Sequence, residues 1–88
     1  MEMEILELLR SRTGRATRII ATDGEPMEVR VVVEATAPSR LADEHISYAQ
    51  RGGIPLSADK GRYFFYTNEI ASIQDVETGE VIFTRPAG

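Results

Sequence analysis

His45 is the single histidine of the chain, set in Ala42-Asp43-Glu44-His45 with Tyr48 three residues on. An imidazole next to a carboxylate suits general-base chemistry, and histidine is the commonest side chain on a metal. The spacing supports neither role. Neighbouring residues on a helix point apart, and one histidine with scattered carboxylates falls short of a ligand set. His45 therefore reads as a helix-surface residue at the edge of the core. The paired carboxylates Asp43/Glu44 and Glu77/Glu80 fall on a surface helix and a turn, with no apolar pocket to shift them. Gly52-Gly53 lacks the Lys-Ser/Thr of a phosphate loop, and Ser11, Ser39, Ser47, Ser57 and Ser72 sit in no nucleophile elbow. The absence of cysteine removes thiol catalysis, disulfides and cysteine-type zinc sites. The expectation is a protein that is not an enzyme and carries no metal or cofactor.

Two clusters remain. Arg10, Arg12, Arg15 and Arg18 form the only local basic group, suited to phosphates or an acidic partner if Gly14 turns them onto one surface. Against this, Glu2, Glu4 and Glu7 stand nearby, and the chain carries a net charge of −4, the wrong sign for non-specific nucleic-acid binding. Nothing aromatic interleaves with the arginines as a base-stacking platform. The second cluster is Tyr63, Phe64, Phe65 and Tyr66. These consecutive rings either fill a core on both faces of a strand or line a groove or subunit interface.

Eighty-eight residues make one domain, 1–88. A chain of this size buries roughly 60–65% of its unfolded surface, so its stability is modest unless subunits associate. No stretch approaches the ~20 apolar residues of a membrane span. The opening MEMEILELLRSR has acids where a signal peptide has bases, so a cytoplasmic location is expected.

The elements that would position these residues are organised around Met27–Thr36, MEVRVVVEAT. Met27, Val29, Val31, Val33 and Ala35 alternate with Glu28, Arg30, Val32 and Glu34, the period of a strand with one buried face. Glu2–Arg12 reads as a helix with an Ile5, Leu6, Leu8, Leu9 stripe, acids first and bases last, stopped by Gly14. Arg15–Thr22 is a first strand, joined through the Asp23-Gly24-Glu25-Pro26 turn to the organising strand. Ser39 caps a short helix within the 39–51 insertion, ended by Gly52-Gly53; a long excursion without helix is the competing reading. Ile54–Leu56 runs extended into a turn-rich loop, Ser57–Gly61. Arg62–Thr67 is the aromatic strand, with Tyr63 and Phe65 on one face and Phe64 and Tyr66 on the other. Ile70–Val76 and Val81–Phe83 close a final hairpin around Glu77-Thr78-Gly79-Glu80.

TRIIATDGEPMEV, a strand meeting an Asp-Gly turn and re-emerging, and YFFYTNEIASIQDV, an aromatic strand with a polar half-turn and isoleucines three apart, carry a resemblance. Together they resemble the SH3-like small barrels and, within them, the Sm-like family of ring-forming RNA-binding proteins. The resemblance implies a small barrel. It implies no RNA contact, because the insertion between the two segments is long and the Asn and Arg-Gly positions that touch uridine in that family have no counterpart here.

The fold class expected is α+β, mostly β: a strongly bent antiparallel sheet or small SH3-like barrel under an N-terminal helix. The function expected is an interaction module that binds a protein partner or itself through Tyr63, Phe64, Phe65 and Tyr66 and a sheet edge. The alternative is an Sm-like RNA binder using Arg10, Arg12, Arg15 and Arg18.

Overall fold

In the computed structural model, residues 2–35 and 52–86 are described. Glu2–Ser11 forms α1, with Glu2 and Glu4 in its first turn and Arg10 in its last, the order that complements the helix dipole. Ten residues of helix do not persist alone in water, so α1 depends on its apolar side. Ile5, Leu6 and Leu9 are fully buried there, and Leu8 packs at the margin.

The strands are β1 (Thr17–Ala21), β2 (Pro26–Val29), β3 (Val32–Glu34), β4 (Pro55–Ala58), β5 (Tyr63–Tyr66), β6 (Ile70–Asp75) and β7 (Val81–Thr84). They form two antiparallel sheets: four strands in the order β2-β1-β6-β7 and three in the order β3-β4-β5. A 3-10 turn, Thr67–Glu69, joins β5 to β6 and so connects the sheets on one side. The β1–β2 hairpin turns through Gly24, whose φ of +90° lies in the left-handed region open to glycine. The core between the sheets and α1 holds Ile19, Val29, Val32, Leu56, Phe65, Ile70 and Ile73.

The expected single strand over 27–36 is not continuous. It ends at Val29, resumes at Val32, and its halves belong to different sheets. Leaving one ladder for another strips the backbone of its partners, and at this exposed corner the freed groups take new ones within the chain. Gly14 donates its N–H to the Arg30 carbonyl at 2.6 Å, and Asp59 N–H donates to the Val31 carbonyl at 2.9 Å. The Asp59 carboxylate accepts from the Arg30 amide at 3.0 Å and, more weakly, from the Val31 amide at 3.5 Å. The bend advances the side-chain alternation by one residue. Val29 and Val32 therefore face the core, whereas Val31 is 41% exposed and Val33 54% exposed. This corrects the alternation reading, which placed Val31 and Val33 inside and Val32 outside.

A second correction concerns Ser57–Gly61. The segment read as loop is strand through Ala58, because β3 and β5 pair with β4 on its two sides. Pro55 is tolerated because it opposes Tyr66 without having to donate to that strand. The turn itself is only Asp59–Arg62. The helix expected within 39–51, and His45 with it, lies outside the described residues.

The bend has a direct test. Val32→Asp should abolish the cooperative urea transition, since it buries a carboxylate in the core, while Val33→Asp should stay within about 0.5 kcal/mol of the parent. Asp59→Ala leaves two corner amides without their acceptor and should cost about 1–2 kcal/mol, read from the urea midpoint.

Candidate functional site

The four aromatics are positioned by β5 and do not share one environment. Phe65 and Tyr66 are buried, at 3% and 2% exposure, and Phe65 belongs to the core cluster. Phe64 is half-buried and meets Tyr66 edge to face, with centroids 5.5 Å apart and planes at 89°. Tyr63 is 38% exposed.

Among the described residues β5 pairs only with β4, and its other edge has no ladder partner there. Thr67 N–H donates to the Ile54 carbonyl at 2.9 Å, which sets the alternation of the antiparallel ladder. Tyr63 and Phe65 then bond toward β4, and the backbone groups of Phe64 and Tyr66 point away from it. The Tyr66 amide is already taken by the Glu69 carboxylate at 3.0 Å. Among the described residues, the N–H and C=O of Phe64 are left as the outward pair. Beside this edge a cleft of about 380 Å³ runs between β5 and the β1–β2 hairpin. Its apolar floor includes Met27, Phe64 and Phe65, and its rim carries Asp23, Glu25 and Glu69.

The arginine cluster is dispersed. Arg10 pairs with Glu34 at 3.2 Å and Arg18 with Glu28 at 2.7 Å, both on the surface; Arg18 and Glu28 are direct cross-strand neighbours. Arg12 turns inward. Its Nη2 meets Asp75 Oδ2 at 2.6 Å and its Nε donates to Thr17 Oγ1 at 2.9 Å, tying the end of α1 to β1 and β6. Among the described residues, Arg15 alone of the four has no ion pair. Arg85 makes the equivalent tie at the start of α1: it pairs with Glu2 at 3.3 Å and donates to the carbonyls of Ile70 and Thr67, each at 2.8 Å.

Sequence reasoning missed a different group of cations. Where β2 bends into β3, a cleft of about 450 Å³ is lined by Arg30, Lys60 and Arg62 together with Glu28, Asp59 and Val29. Arg30 is far in sequence from Lys60 and Arg62, and the β4–β5 turn against the bent strand brings the three to one cleft. The signal that was available is Asp59-Lys60-Gly61, a mirror-image hairpin turn in composition.

Among the described residues, no group of three or more His, Asp or Glu is arranged to hold a metal ion. Asp43 and Glu44 lie outside the described residues, and Glu77 and Glu80 are exposed in the β6–β7 turn. No helix among the described residues is long and apolar enough to cross a membrane. The fold is thus a mostly β domain of two antiparallel sheets with one N-terminal helix. Compared with protein families, curated proteins and solved structures, the chain matches none.

The structure perturbs the ionisation of Asp75. The Thr78 amide and then the Arg12 guanidinium hydrogen-bond its carboxylate and hold its pKa at about 2, below the ordinary 3.8. A depressed carboxylate stabilises the fold above its unfolded pKa and loses that contribution as pH falls through the folded one. The stability gap between the parent and Asp75→Asn should therefore be full above pH 4 and shrink steadily from pH 4 to pH 2, as followed by urea unfolding.

Proposed function

We propose that the chain is a non-enzymatic interaction module of the cytoplasm, which adds a strand from a second copy or a protein partner to the open edge of β5. The observation that carries this reading is the outward N–H and C=O of Phe64 beside a cleft floored by Phe64, Phe65 and Met27. Strand addition takes its affinity from main-chain hydrogen bonds and its selectivity from side-chain pockets along the edge, and both elements are present together here. Glu69 occupies the neighbouring edge amide, which restricts pairing to a short stretch and limits open-ended aggregation.

Among the described residues β7 also has a ladder partner on one side only, at the far end of the four-stranded sheet, so one copy offers an edge at each end of its strand order. Val81 on β7 is 58% exposed, and Ile82 and Phe83 are half-buried. Two different edges meeting head to tail generate a ring when the rotation closes. The strand order, with one strand bent between the two sheets, supports the small-barrel reading and its SH3-like and Sm-like resemblance. The RNA reading through Arg10, Arg12, Arg15 and Arg18 has less support, because three of the four are engaged by carboxylates of the same chain.

Light scattering on purified protein tests the self-association arm. The expected mass is a multiple of 9.8 kDa. Phe64→Pro removes the outward donor while sparing the bonds to β4, and should return the mass to the monomer with the far-UV spectrum unchanged. A parent that stays monomeric at every concentration, and whose partner binding survives Phe64→Pro, would refute edge addition.

A further inference from the structure

We infer that the cleft at the β2–β3 bend is a binding site for a small phosphomonoester, the phosphate being held by Arg30, Lys60 and Arg62. The first ground is charge bookkeeping within the cleft. Both of its carboxylates are committed: Glu28 to Arg18 at 2.7 Å, and Asp59 to the Arg30 and Val31 amides. The three cations have no carboxylate within ion-pair reach among the described residues. An otherwise acidic molecule thus concentrates unneutralised positive charge in one concavity.

The second ground is backbone conformation. Asp59 and Lys60 have φ of +51° and +61°, and Gly61 follows at +86°. The left-handed region is unfavourable for lysine, and such strain persists only where surrounding contacts impose it. Here the imposing contacts are the two-way bonds between Asp59 and the bend, which hold Lys60 and Arg62 over the cleft that Arg30 also lines.

The third ground is the match of ligand to cleft. Two guanidinium forks and an ammonium suit a tetrahedral dianion, which offers several acceptors at once. A cleft of about 450 Å³ has space for a group attached to the phosphate. Among the described residues no aromatic side chain lines it, so they offer a nucleobase no stacking surface. The chain as a whole carries a net charge of −4, which opposes a long polyanion more than a single phosphate ester. The inference is independent of the open edge of β5.

Backbone amide NMR at constant ionic strength tests it, with ribose 5-phosphate and inorganic phosphate as probes. Saturable shifts confined to residues 28–31 and 59–62 are expected, with ribose 5-phosphate at least as tight as inorganic phosphate. The combined Arg30→Gln, Lys60→Gln, Arg62→Gln variant, altered only at exposed side chains, should weaken binding at least tenfold. Arg10→Gln, remote from the cleft, should change it less than twofold. Shifts that do not saturate, that survive the triple variant, or that fall equally with Arg10→Gln overturn the site. Binding of inorganic phosphate alone overturns the ester. An oligoribonucleotide without terminal phosphate that saturates the same amides more tightly overturns it in favour of a strand.

Discussion

The bend at Arg30-Val31 is the constraint on which the rest of the structure depends. One run of β-forming residues has to serve two sheets, and it does so only because the four backbone groups released at the corner all find partners. Gly14 supplies one and Asp59 the other three contacts. The connection after α1 and the β4–β5 turn are therefore held by the same corner that redirects the strand. A polar side chain, through its backbone contacts, decides here which valines enter the core.

The helix is fastened by a related device at each end. Arg12 reaches from its last turn to Asp75 and Thr17, and Arg85 reaches from beyond β7 to Glu2 and the 3-10 turn. The apolar stripe supplies the driving force for docking, but it is nonspecific about angle and register. Charge-assisted bonds at two separated points restrict both. Partly buried pairs of this kind contribute little net stability for the desolvation they cost, and orientation is the more natural account of them. The surface pairs of Arg10 and Arg18 lie at the other extreme, where solvent screening leaves little energy.

The two proposed sites are built from different physics. At the β5 edge an unpaired stretch of backbone adjoins apolar side chains, with acids at the rim. At the bend, cations surround a cleft whose own carboxylates are spent on structural bonds. The bend organises both, because it sets β4 and β5 in a separate sheet and brings the β4–β5 turn onto β2.

Local pattern was sufficient for the elements whose signals are local. The acid-first, base-last order and leucine stripe marked α1, the Asp-Gly turn marked the β1–β2 hairpin, and the aromatic run marked β5. It failed where partners come from afar. Ser57 and Ala58 look like loop because nothing within them announces two flanking strands, and the valine run looks continuous because alternation carries no record of a corner. The candidate site divided in the same way: the aromatic strand was legible, but the fate of each ring was not, and four arginines close in sequence found separate partners in space. Composition and short-range periodicity by themselves determined a mostly β chain with a leading helix, since those properties follow from side-chain size, charge and spacing. Which faces are buried, which edge stays open and which cations meet was decided only by the tertiary structure, since burial and charge pairing depend on residues 29 or 63 positions away in the chain, as Arg30 to Asp59 and Arg12 to Asp75 demonstrate.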